Sequence, residues 1–139
     1  MRFKYNDGGR SKYFKAKNVG DCAVRAIAIA LEKDYKEVYN DLKKLNGGQS
    51  CRNGTPKKVD SKYLQLNGWS KIPGVMGKGT GIQYHLDEYE LQYFIKKYPR
   101  MIIQVSHHLV ACINGVLNDT HDCTREGERG IYAIWVKEN

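Results

Sequence analysis

No apolar run in this 139-residue chain approaches the roughly 18 residues that a membrane-spanning helix requires. The first residues, Met1-Arg2-Phe3-Lys4-Tyr5, lack the apolar core of a secretory leader, so the protein is expected in the cytoplasm, with no membrane partner. No Cys-x-x-Cys pair occurs, and the spacing of His121-x-Cys123 from His107, His108 and Cys51 matches no common zinc site; no metal and no other cofactor is expected. Cys22, Cys51, Cys112 and Cys123 are then free thiols in a reducing compartment rather than two disulfides. Acidic residues are scarce, 15 against 23 lysines and arginines, and the formal charge of +8 suits an acidic partner. The basic residues are scattered rather than gathered into one tract, however, which favours a solvated basic surface over a dedicated nucleic-acid site.

What remains is the composition of an ordinary globular protein, 41% hydrophobic and 27% charged, and its length fits one domain over residues 1–139. Residues 1–17 are polar and read as an extended arm or edge strand. Asp21 can cap a helix in which Val24, Ile27, Ala28 and Leu31 recur at spacings of three and four. A second amphipathic helix covers 35–45 and stops at Asn46-Gly47-Gly48. Thr55-Pro56 looks like the start of a third, carrying Val59, Tyr63 and Leu66. A fourth runs through Leu86, Tyr89, Leu91, Tyr93 and Phe94. From Arg100 the texture changes to strands at 101–105, 109–113, 116–119 and 131–136, two of them joined by the hairpin pair Asn114-Gly115. Helices followed by strands predict an α+β fold in which N-terminal helices pack on a C-terminal antiparallel sheet. The stretch Gly74-Val75-Met76-Gly77-Lys78-Gly79-Thr80-Gly81 is not a phosphate loop, because Lys78 is followed by glycine and no apolar strand precedes it; it reads as a flap bordering the site.

Chemistry concentrates at two places far apart in the chain. Cys22 stands at the head of the first helix, where unpaired N–H groups and the helix dipole favour a thiolate. His108 opens a strand, and a histidine brought beside such a thiol makes a nucleophile and its base. With Asn114-Gly115 as a two-residue turn, Ile113 pairs with Val116 and Val110 with Asp119, so Asp119 falls diagonally beside His108 on one face and can orient its ring. His107 is the alternative base. Cys51 and Cys123 read as incidental, and Cys112 as core or back face.

The strings Asn18-Val19-Gly20-Asp21-Cys22-Ala23-Val24-Arg25-Ala26 and His108-Leu109-Val110-Ala111, with Asp119-Thr120 ending the next strand, resemble papain-like cysteine peptidases. The likeness is to the small bacterial branch that includes the peptidase domains of bacteriocin-processing transporters, and to short phage proteins of this layout. It implies a papain-like fold whose central helix starts at Cys22, and a Cys22-His108-Asp119 triad. If the chain is phage-encoded, it also implies the host bacterial cytosol as its place and a host or phage protein as its partner. Such peptidases usually carry a glutamine five or six residues before the cysteine to complete the oxyanion hole; those positions are Lys17 and Ala16 here, and Asn18 can supply a side-chain amide in its place. The expected activity is hydrolysis or transfer of a peptide or isopeptide acyl group. The alternative is a binding module of the same fold, without catalysis, that engages a host protein or nucleic acid through a basic surface rich in the chain's ten tyrosines.

Overall fold

The computed structural model describes residues 2–15, 20–51, 54–73, 91–123 and 131–137. Helix α1 (Cys22–Leu31) begins at the cysteine, as its spacing predicts. Its composition, four alanines with Val24 and Ile27, lets it sink against the sheet until Ala23, Val24, Ala26, Ile27, Ala28 and Ala30 are all buried, while Leu31 stays half-buried at its end. Asp34 caps α2 (Tyr35–Leu45) by accepting from the backbone N–H groups of Lys36 and Glu37. Tyr35, Val38 and Leu42 face α1, and Gly47 and Gly48 close the helix at positive φ. In α3 (Lys57–Leu66) the N-cap is Pro56 itself, so Thr55 lies one residue outside the helix and bonds the Asp60 side chain. The buried stripe is Val59, Asp60, Tyr63 and Leu64; Leu66, expected in it, is exposed. Helix α4 (Leu91–Lys97) matches the C-terminal part of the predicted fourth helix, and residues 74–90 lie outside the described residues. No helix among the described residues is long and apolar enough to cross a membrane.

Six strands form one sheet in the order β1-β5-β4-β3-β6-β2: β1 (Arg2–Tyr5), β2 (Trp69–Pro73), β3 (Arg100–Val105), β4 (His108–Ile113), β5 (Val116–Asp119) and β6 (Ala133–Lys137). The sheet is mixed, which corrects the antiparallel expectation: β1 joins β5 in parallel, Arg2 opposite Val116 and Tyr5 opposite Asp119. Every β1 side chain is exposed, so this strand has no alternation to read and is recruited by its backbone alone. As an edge strand β1 matches one of the two readings of the N-terminal segment, whereas β2, a five-residue strand on the opposite edge beside β6, was not expected. The hairpin of β4 and β5 has the expected register, Ile113 opposite Val116, with Asn114 and Gly115 both at positive φ. Helices α1 to α3 cover one face, packing on Ile102, Ala111 and Trp135. Met101, Ile103, Val105, Val110, Cys112, Leu117, Ile134 and Val136 form the other face under Leu91 of α4.

The polar N-terminal segment is more than an arm. A short 3-10 turn over Arg10–Lys12 carries Arg10 inward, where its Nε lies 3.1 Å from Asp21 Oδ2, and Tyr35 donates to the same oxygen at 2.5 Å. The Asp21 side chain has no exposed surface. Rather than capping α1 through its side chain, Asp21 serves as the anchor to which the first segment and two helices are tied. Breaking one partner from a buried ion pair leaves a charge uncompensated. Arg10→Met should therefore cost about 3 kcal/mol in urea unfolding, and a loss below about 0.5 kcal/mol would mean that Asp21 is served adequately by Arg25 and Tyr35 alone.

Candidate active site

The tight β3–β4 connection, with His107 at φ 55, delivers His108 to the first position of β4 at one end of the sheet. The hairpin then returns Asp119 to the same end, and His108 Nε2 lies 2.6 Å from Asp119 Oδ2. Both side chains are almost wholly enclosed, 9% and 4% exposed, whereas His107 is exposed. His108, not His107, is thus the histidine hydrogen-bonded to a carboxylate; the exposed His121 stands farther off, its Nδ1 4.0 Å from Asp119 Oδ1. Cys22, half-buried at the start of α1, opens onto the same cavity as His108, and its thiol is among the groups that raise the pKa of the ring. Since Nε2 is committed to Asp119, Nδ1 is the nitrogen left for sulfur. Cys123, expected to be incidental, is buried and also bonded to the His108 ring. Asn18 lies outside the described residues.

Electrostatics follow from this enclosure. Burial works against a charged His108 ring, but bonding to Asp119, Cys123 and Cys22 outweighs it and pushes the pKa up to about 11. Burial likewise works against an ionised Asp119, yet the His108 contact, the Thr120 N–H at 2.7 Å and the Arg25 guanidinium hold its carboxyl below the usual range. Arg25 stands one turn into α1 from Cys22. Its Nη2 is 3.7 Å from Asp119 Oδ1, its Nη1 donates to Thr120 Oγ1 at 2.7 Å, and its Nε faces Asp21 Oδ1 at 3.5 Å. That last pair is an ion contact without a hydrogen bond, for neither atom has a hydrogen-bond partner among the described residues. The sequence reading missed Arg25; its place at i+4 from Asp21 on an otherwise apolar helix was the available signal.

The cavity holds about 430 Å³ and is walled by α1, α3 and the β3–β4 end of the sheet, with Gln104, Leu109 and Trp135 behind Cys22 and His108. Asp60 of α3 also lines it, 7% exposed, and Thr55 is its hydrogen-bond partner. Burial pushes the Asp60 pKa up to about 7, only partly offset by the Thr55 hydroxyl. Cys51 and Cys112 are buried, and burial raises their thiols to about 11 and about 12. For a metal, His108, Asp119 and His121 are the one group of described residues whose ligand atoms all lie within 4.8 Å of one another, but Asp119 is already shared between His108 and Arg25, and a cation there would face the guanidinium.

The chain matches no protein-family model, no curated protein and no solved structure, so the geometry itself carries the functional reading.

Asp60 yields a pH-dependent stability with a definite sign. Its folded pKa, about 7, lies above the ordinary 3.8, so its contribution is fully present below about pH 4 and is lost as the pH rises through 7. Asp60→Asn removes the titration. Its stability relative to wild type should improve by about 4 kcal/mol between pH 4 and pH 8 in denaturant melts, and a difference that stays constant over that interval would show Asp60 ionising as an ordinary surface carboxylate.

Proposed function

We propose that this protein is a papain-like cysteine hydrolase or acyl transferase, with Cys22 as nucleophile, His108 as acid–base and Asp119 as the group that orients the ring. One observation carries the reading: a histidine fixed at 2.6 Å by a buried carboxylate shares a cavity with a thiol at a helix N-terminus, although the three residues come from opposite ends of the chain. The first-turn N–H groups of α1, with no acidic side chain among them, are the proposed oxyanion donors, with Asn18 as the proposed second donor.

In this mechanism the Cys22 thiol gives its proton to His108 and the sulfur attacks the substrate carbonyl; a C–S bond forms and the carbonyl electron pair moves onto oxygen. As the tetrahedral intermediate collapses, His108 gives its proton to the departing amine and an acyl-enzyme remains. Water, or an acceptor amine, then loses a proton to His108 while attacking the thioester, and the thiol is restored. Asp119 fixes the tautomer throughout, and Arg25 and Thr120 fix Asp119. A peptide or isopeptide of a host or phage protein is the proposed substrate, and the host cytosol the proposed place.

Two measurements test this together. Iodoacetamide at about pH 6 should label Cys22 selectively, because Cys51, Cys112 and Cys123 are at most 3% exposed. p-Nitrophenyl acetate should release a burst of one equivalent per chain, abolished in Cys22→Ser with little change in stability and slowed roughly 10²-fold or more in His108→Ala; Asp119→Asn should be the mildest of the three. Unchanged burst kinetics in His108→Ala, or labelling spread over all four thiols, would favour a binding module that keeps the fold without the chemistry.

A further inference from the structure

We propose that the cavity selects an acyl substrate bearing a cationic side chain or amine next to the reacting carbonyl, with Asp60 as its counter-ion; the inference rests on Cys22 being the nucleophile. Cys22, His108 and Arg25 line the cavity from α1 and the sheet, and Asp60 lines it from the buried stripe of α3, where an apolar residue would satisfy the helix pattern. A volume of about 430 Å³ accommodates a long side chain together with the backbone at the thiol.

Among the described residues no cation is ion-paired with Asp60. Arg25 is engaged by Asp21, Asp119 and Thr120, and His108 by Asp119. His107 and His121 lie on the wall formed by the sheet, and Lys57, one turn before Asp60 on α3, is exposed at the rim. Thr55 binds one carboxylate oxygen and leaves the other to the cavity wall. An enclosed carboxylate without a counter-ion is costly, and that cost is relieved when a ligand supplies the charge. Its proton affinity, raised by burial to a pKa of about 7, is the same unmet demand expressed toward a proton. The rival account is that Asp60 merely fastens residues 54–56 to α3 through Thr55.

Matched affinity labels separate the accounts. N-acetyl-lysyl and N-acetyl-norleucyl chloromethyl ketones differ in the terminal ammonium, and with either one the thiolate displaces chloride from the methylene carbon. At pH 8 the lysyl reagent should alkylate Cys22 about tenfold faster, the usual worth of one well-placed charge pair in a partly enclosed site. The rate ratio should fall toward one in Asp60→Asn, and also in wild type at pH 5, where the carboxyl is protonated. The wild-type titration stands even if the variant folds poorly. A ratio near one in wild type at pH 8, or a lysyl preference that persists in Asp60→Asn, overturns the specificity and leaves Cys22 as nucleophile. If neither reagent modifies Cys22 faster than it modifies a small free thiol, the nucleophile falls and the specificity with it.

Discussion

Arg10, Asp21, Arg25 and Asp119 form a line of alternating charge, and nearly every element that shapes the cavity is attached to it. Arg10 brings the N-terminal segment, Asp21 and Arg25 belong to the start of α1, Tyr35 ties α2 to Asp21, and Asp119 ends β5. Burying charge is expensive unless each member is paired; here Asp21, Arg25 and Asp119 are each held from two sides, and Arg10 is held by Asp21. The arrangement is therefore better understood as specifying geometry than as adding stability. It sets the angle at which α1 meets the sheet end, and with it where Cys22 stands relative to His108. It also explains why a polar, alternation-free segment at residues 2–15 belongs to the fold: β1 extends the sheet beyond β5, and Arg10 supplies the cation that Asp21 needs.

The β4–β5 hairpin contributes the second constraint. A two-residue turn admits one register, and that register places residue 119 beside residue 108 with no freedom to slip. Asp119 then reaches His108 through Oδ2, while Oδ1 is taken by the Thr120 N–H and approached by Arg25. A carboxylate held from both oxygens cannot rotate away from the ring. The orientation of His108 is thus fixed by local strand geometry, and its electrostatic setting by a helix distant in sequence.

Legibility in the sequence followed the locality of the signal. Asn114-Gly115 is a turn with one conformation, so the hairpin, its register and the His108–Asp119 contact could all be worked out before any coordinates. The start of α1 at Cys22 and the bounds of α2 were marked by caps and apolar spacing. β1 agrees with the edge-strand reading of the N-terminal segment, although with no buried face its partner was not marked; β2, a short edge strand, was not marked at all, and both depend on partners that only the folded sheet presents. Arg25 and Asp60 were overlooked for a related reason. Each is a charged residue in an apolar stripe, and nothing local distinguishes a buried ion from a surface one until its partners, or their absence among the described residues, can be seen.

Those two residues also separate the roles that buried charge can play in one small site. Arg25 is neutralised inside the protein, by Asp21 and Asp119, so its charge is spent on holding the structure in place. Asp60 lines the same cavity with a hydroxyl for company, and its ionisation costs the folded state free energy near neutral pH. A chain under selection for stability alone would fill that position of α3 with leucine or asparagine, because a buried carboxylate that ionises near neutral pH costs the folded state free energy. Retaining a carboxylate that has no counter-ion among the described residues fits the proposal that a substrate supplies the cation. The overall charge of +8 does not oppose this, since repulsion between exposed charges is screened within about 8 Å at physiological salt, whereas a pair formed inside the cavity is not. Long-range charge and short-range selectivity can then carry opposite signs: the surface favours acidic surroundings, and the cavity a basic group.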